Sequence, residues 1–197
     1  MPTKSSPVHA GGVHWSFETC WWVPLLFGVA ALILGLSVPL LDELAAPKGS
    51  MQQQQQQQQQ QAGAAAEAPL VPSWSAVLLC ISLFVTQYGL SGILEQPTLG
   101  QTLPGTPIPT LDALLFTYAL LHWTIFDKTP QGLGMAALTA VCGPAVEMLL
   151  INALGLYHYS HPAVLGVPTW IAWVYFCGGP AVGNLGRRAW CQLKSSA

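Results

Sequence analysis

Apolar residues gather in five blocks along the chain, running from Trp21 to Leu41, Val71 to Leu94, Leu111 to Phe126, Leu133 to Leu156 and Pro168 to Leu185. Their lengths approach or exceed the roughly 20 residues that cross about 30 Å of hydrocarbon, the third block being the shortest. The pattern predicts an all-α fold, a polytopic transmembrane helix bundle of about five spans. A tail over residues 1–20 precedes a membrane domain over 21–191, and a short tail over 192–197 follows. The connections are too short to build a separate soluble core.

Charge is sparse and sits mostly between the blocks: six basic and eight acidic residues in 197. Five spans divide the connections into two sets. One set holds Lys4, the other Lys48, Lys128, Arg187, Arg188 and Lys194. Basic residues near span ends are retained on the cytosolic side, so this asymmetry predicts a cytosolic C-terminus and a lumenal N-terminus. A formal net charge of −2 offers no basic footprint for nucleic acid.

Ten glutamines, Gln52 to Gln61, mark a low-complexity loop over residues 48–69 between the first two blocks. Such a tract buries little apolar surface, and reads either as a neutral expansion or as a docking element. Five scattered cysteines (Cys20, Cys80, Cys142, Cys177, Cys191) form no disulfide framework or zinc pattern and read as small apolar packing residues. Residues 1–20 contain no apolar run and no arginine, so neither a separate cleavable signal nor a transit peptide is expected.

The candidate chemistry lies in polar residues at membrane depth. Glu147, within Val146-Glu-Met-Leu-Leu-Ile-Asn152, is the deepest. A carboxylate there costs several kcal/mol unless neutral, paired or beside water, which marks a functional position; bonding to a neighbouring helix that simply holds the bundle is the alternative. Asn152 lies on another face of the same helix. Asp112, at the start of the third block, is interfacial.

Asp127 closes a block as Trp123-Thr-Ile-Phe-Asp127-Lys128. At a cytosolic edge its carboxylate would be open to a partner, with Trp123 and Phe126 anchoring the interface and Lys128 as an ion-pair neighbour. An ordinary solvated helix end fits the same spacing. Gly179, Gly183 and Gly186 recur at a spacing that lets another helix approach closely. Asn184 is placed to bond an exposed carbonyl, and Arg187 and Arg188 to meet anionic headgroups. His158 and His161 lie close in sequence but lack a third ligand, so no metal site is assigned. No dinucleotide, Walker, nucleophile-elbow or zincin motif occurs, and no catalytic residue or cofactor is assigned.

Several separated stretches, taken together, resemble the Insig proteins, the sterol-regulatory membrane proteins of the endoplasmic reticulum. They are Trp21-Trp-Val-Pro24 with Gly28, Gly35, Pro39 and Asp42; Trp74-Ser-Ala-Val-Leu-Leu-Cys80 through Phe84-Val85; and Trp123-Thr-Ile-Phe-Asp127-Lys128 with Gly132 and Gly134. Glu147 to Asn152, Tyr157-His-Tyr-Ser-His-Pro162 and the closing Phe176-Cys-Gly-Gly-Pro-Ala-Val-Gly-Asn-Leu-Gly-Arg187 complete the match.

The resemblance implies a non-enzymatic six-helix bundle that binds an oxysterol or another lipid. It also implies association with sterol-sensing partners, the SREBP escort protein and HMG-CoA reductase. Asp127 carries over as the aspartate needed for partner association, with Trp123 and Phe126 beside it. Gly179, Gly183, Asn184, Gly186 and Arg187 carry over as signature positions. Glu147, where animal members have glutamine, is assigned with Asn152 to the ligand.

This sequence departs from the family at three points. Residues 1–20 offer no counterpart to the first span, Ile125 is an extra residue in the Trp-Thr-Phe-Asp element, and the Glu95 to Pro109 loop is proline-rich with no match to the sterol-contacting glutamine. Two other readings remain open: a small membrane enzyme or transporter using Glu147, His158, His161 and Asp127, and a lipid-binding scaffold with no sterol circuit.

Overall fold

In the computed structural model, the described residues are 8–10, 13–15, 23–45, 71–94, 109–159 and 161–196. The glutamine loop, most of the N-terminal tail and the proline-rich loop after Leu94 lie outside them. Among the described residues, five helices occur in chain order: α1 (Val23–Ala45), α2 (Trp74–Leu94), α3 (Thr110–Phe126), α4 (Pro130–Asn152) and α5 (Ile171–Ser196). A two-stranded antiparallel ribbon, β1 (Val8–Ala10) with β2 (Val13–Trp15), precedes them. The chain divides within α1 into two units, 1–33 and 34–197. The interactions described below lie within the second.

Each helix covers one apolar block, with boundaries shifted by a few residues at several ends and by eleven at the end of α5. The fourth helix stops at Asn152, where residues 153–156 turn out of it and Gly155 takes a positive φ of 59°. The fifth runs on to Ser196, well past the apolar block, because Arg187 and Arg188 are both accommodated by the protein itself.

Among the described residues, three helices are long and apolar enough to cross a membrane: Leu25–Ala45, Trp74–Leu94 and Pro130–Asn152. The third helix, at 17 residues, is a shorter apolar one. Helix α5 is the most enclosed of the five and packs on α2, α3 and α4, while α2 and α3 also pack on each other. Its polarity follows from that position. A central helix faces protein on most sides and has less need of a lipid-compatible surface than a peripheral one.

Inside and outside are inverted relative to a water-soluble bundle. Large apolar side chains such as Leu79, Val85, Leu121, Ile125, Leu138 and Val141 are exposed. Gln87, Ser91, His122, Thr139, Glu147, Asn184 and Arg187 are buried. Lipid accepts the first set, and the second must find partners within the bundle. The structure is a helical membrane bundle. Its apolar core lies between α3 and α5, where Leu111 and Leu115 meet Ile171 and Val174, with Val167 and Trp170 from the preceding loop.

Candidate functional site

The polar groups collect at the two ends of α4. At its N-terminal end the chain turns from α3 through Asp127, Lys128 and Thr129. Thr129 caps α4 by accepting the Gly132 N–H at 2.9 Å, and Pro130 at the first helical position gives up a donor that would have been unpaired anyway. Lys128 sits at φ 63°, which turns the backbone so that the Asp127 carboxylate folds back over the cap. Its Oδ1 accepts the Thr129 N–H at 3.0 Å and the Thr129 hydroxyl. A side chain at position 132 would occupy the space of this carboxylate, so glycine there is required by close approach.

The other half of this centre comes from α5. Arg187 is only 4% exposed and uses all five of its N–H donors. Nε and Nη2 hold Asp42 of α1 at 2.6 and 3.2 Å. Nη2 also reaches the Thr129 hydroxyl at 3.1 Å, while Nη1 reaches Asp127 at 3.0 Å and the side-chain amide oxygen Oδ1 of Asn184 at 3.4 Å. One guanidinium thus joins three separate parts of the chain. The planar fork makes this possible, since a lysine has three donors on one atom and no bidentate geometry. Asn184 completes the centre by donating to the Phe126 carbonyl at 2.9 Å, one of the acceptors that the end of α3 leaves unpaired.

These contacts revise three expectations at the Asp127 edge. The Asp127 side chain is fully enclosed, not open to a partner, and its ion-pair neighbour is Arg187 and not Lys128. Trp123 and Phe126 are half-buried: Trp123 packs against the Ala119, Ala136, Phe176 and Cys177 cluster, and the Phe126 ring lies 5.0 Å from that of His122. Arg187 points into the bundle instead of meeting headgroups. Its neighbour Arg188, about 100° further round the helix, lies 5.7 Å from the Trp74 ring centroid of α2, a cation–π contact. Ile125, the extra residue, is exposed.

The small residues of α5 let its neighbours approach. Gly179 faces α4, where a Cβ would come within 2.7 Å of the Ala136 Cα, and Gly183 packs on Val38 of α1. At Gly186 the backbones of α5 and α1 touch, and a Cβ would run into the Gly35 carbonyl oxygen. Beyond this point Glu43 accepts from Trp190 Nε1 at 2.7 Å and pairs with Lys194, a pair exposed enough to add little stability.

Near the C-terminal end of α4 lies the second centre. Glu147 is 7% exposed, and each of its oxygens accepts a phenol at 2.5 Å, Oε1 from Tyr175 of α5 and Oε2 from Tyr159 of the α4–α5 loop. Gly143, one turn earlier on the same face, leaves room for the Tyr175 ring. Burial first, and the adjacent Glu147 carboxylate second, push the Tyr159 phenol well above its ordinary range, so it remains a donor. Replacing Glu147 by leucine strips two half-buried phenols of their acceptor. A loss of about 2 kcal/mol, at roughly 1 kcal/mol per bond, is the expected outcome in a detergent melt, and no change in midpoint would show the bonds to be idle.

Asn152 does not join Glu147. It is exposed, and its amide donates to the Met148 carbonyl at 2.8 Å and to Leu165 of the loop at 2.7 Å. His158 and His161 are exposed on that loop. The Asp127 carboxylate lies at the level of Gly132, so it and Glu147 stand toward opposite ends of α4, roughly 22 Å apart at 1.5 Å per residue. The four residues of the enzyme reading are therefore not brought together, and among the described residues no three His, Cys, Asp or Glu side chains cluster as a metal set.

Sequence reasoning missed Asp42 as a partner of Arg187, the two tyrosines on Glu147, and the buried Gln87 and His122. Spacing gives no signal for the first pair, which are 145 residues apart. The interior position of Gln87, the one carboxamide in a mainly apolar block, was the available cue.

Comparison with known proteins supplies the remaining information. The sequence model of the family described as "Insulin-induced protein (INSIG)" matches residues 6–190. Proteins named "Insulin-induced gene 1 protein" are similar over 172 residues, 87% of this chain: 28% identical in Danio rerio and 27% in Bos taurus and Homo sapiens. The match covers 57% of the first of these relatives and 52% of the other two, so the chain spans only somewhat more than half their length.

Proposed function

Since the chain belongs to the insulin-induced protein (INSIG) family, we propose that it is a non-enzymatic, sterol-regulatory, multi-pass protein of the endoplasmic reticulum membrane. It holds a sterol or another lipid among its helices and associates with sterol-sensing membrane proteins of the SREBP-escort and HMG-CoA reductase type. The observation that carries this reading is the buried Asp42–Arg187–Asp127 centre, which includes the Asp127 of the resemblance.

Because the Asp127 carboxylate is enclosed, it serves association by holding α1, α5 and the α3–α4 turn in one arrangement. A partner reads the resulting surface. A lipid regulates such binding by favouring that arrangement over an alternative, and about 1.4 kcal/mol of preference shifts the equilibrium tenfold. Lys128, Arg188 and Lys194 lie at this same end of the bundle, which supports its placement on the cytosolic side.

The test is co-purification of a sterol-sensing-domain partner from membranes. Asp127→Asn and Asp42→Asn, on different helices, should each lower retained partner at least fivefold while lipid capture persists. Retention at the unaltered level in both variants would contradict the proposed role of this centre.

A further inference from the structure

Arg188 of α5 is a half-buried cation that no carboxylate answers. Among the described residues Arg187 pairs with Asp42 and Asp127, and Lys194 with Glu43, while Arg188 makes neither an ion pair nor a side-chain hydrogen bond. Its guanidinium carbon lies 5.7 Å from the Trp74 ring centroid. An indole face attracts the charge but supplies no oxygen for the N–H donors. Nε is enclosed without an acceptor; the two terminal amino groups, equally unbonded, are not enclosed, so the free edge of the fork is its outward one. A guanidinium drawn this far out of water without a counter-charge is costly, and an anion from outside the protein relieves it.

Depth decides which anion meets it. Helix α2 is long and apolar enough to cross a membrane and begins at Trp74, a residue type that settles where hydrocarbon gives way to headgroups. Arg188 rests on that ring, and so lies at headgroup level. Phosphate is the anion abundant there, and two adjacent N–H groups of a guanidinium match two phosphate oxygens. Arg187, one residue earlier, is fully engaged within the bundle and has no donor left for such a ligand.

We propose that Arg188, seated on Trp74, is a phosphate-binding site at the membrane edge, where it holds an anionic headgroup against the start of α2 and the end of α5. The site lies at the rim of the bundle, apart from any lipid held among its helices. Dissolved inorganic phosphate presents the same oxygens, and the experiment separates the two sources.

The full chain is placed in phosphate-free nanodiscs of phosphatidylcholine with a minor share of phosphatidylinositol, and lipids that stay bound on transfer to mild detergent are counted by native mass spectrometry. The unaltered protein should retain phosphatidylinositol about tenfold above its share, the low end for a hydrogen bond to a charged group. Arg188→Gln should return retention to that share, and Arg188→Lys should fall between. Lys128→Gln, which removes an exposed charge from the α3–α4 turn, should leave it unchanged. A phosphatidylinositol photoreactive in its headgroup should mark the peptides around Trp74 and Arg188, a readout on the unaltered protein that stands even if a variant is not recovered folded. Excess inorganic phosphate then identifies the source: retention that resists it assigns the headgroup, and loss of the Arg188-dependent lipid assigns dissolved phosphate. No enrichment in the unaltered protein, enrichment that survives Arg188→Gln, an equal fall in Lys128→Gln, or marks that map elsewhere would overturn the assignment.

Discussion

Replacing Arg187 by leucine should destabilise the bundle by about 3–5 kcal/mol, the usual cost of removing one member of a buried ionic set. The variant leaves Asp42 and Asp127 facing each other with no positive charge between them. Arg187→Lys should fall between the two, because an ammonium keeps the charge but cannot hold two carboxylates and a hydroxyl with one planar fork. Thermal unfolding of the purified protein in detergent measures both. The mechanism also predicts recovery: adding Asp42→Asn and Asp127→Asn to Arg187→Leu removes the uncompensated charges, and much of the lost stability should return. A triple variant no better than Arg187→Leu would show that shape, not charge, dominates this corner.

The second large effect concerns two glycines that look alike in sequence. Gly186→Ala places a methyl against the Gly35 carbonyl of α1, where backbone meets backbone and neither side has a rotamer to change. Overpacking of this kind costs about 1–3 kcal/mol, and the rigid neighbour puts Gly186 at the upper end. Gly134→Ala on α4 meets nothing within 4 Å, and should be neutral or stabilising by up to about 1 kcal/mol through helix propensity alone. The same substitution thus has opposite signs at two helical positions. Melting midpoints that move together would refute the close approach of α1 and α5.

The helices were legible because lipid imposes one requirement on every outward residue, and Leu79, Val141 and their like satisfy it in plain view. Partnerships within the bundle were less visible. Arg187, beside Arg188 and at a block's end, has the sequence context of a headgroup anchor, and only the fold shows that one turns inward while the other lies over Trp74. Glu147 was readable as costly and hence partnered, yet the partners came from a loop tyrosine and from Tyr175, residues whose spacing carries no such information. Gln87 was readable in principle, since an amide inside an apolar span always needs an account. Asp127 drew attention by its motif, but its burial depends on a cap, a left-handed lysine and a missing side chain at position 132 acting together.

Helix α5 packs on α2, α3 and α4 and supplies the only guanidinium of the Asp42–Asp127 centre, yet it follows all of them in the chain. During synthesis the earlier segments emerge first. Until α5 arrives, Asp42 and Asp127 lack their counter-charge and α4 lacks its main neighbour. Assembly of these segments therefore waits on α5, and a ribosome stalled before residue 171 would leave inserted but unassembled segments whose two carboxylates lack a counter-charge.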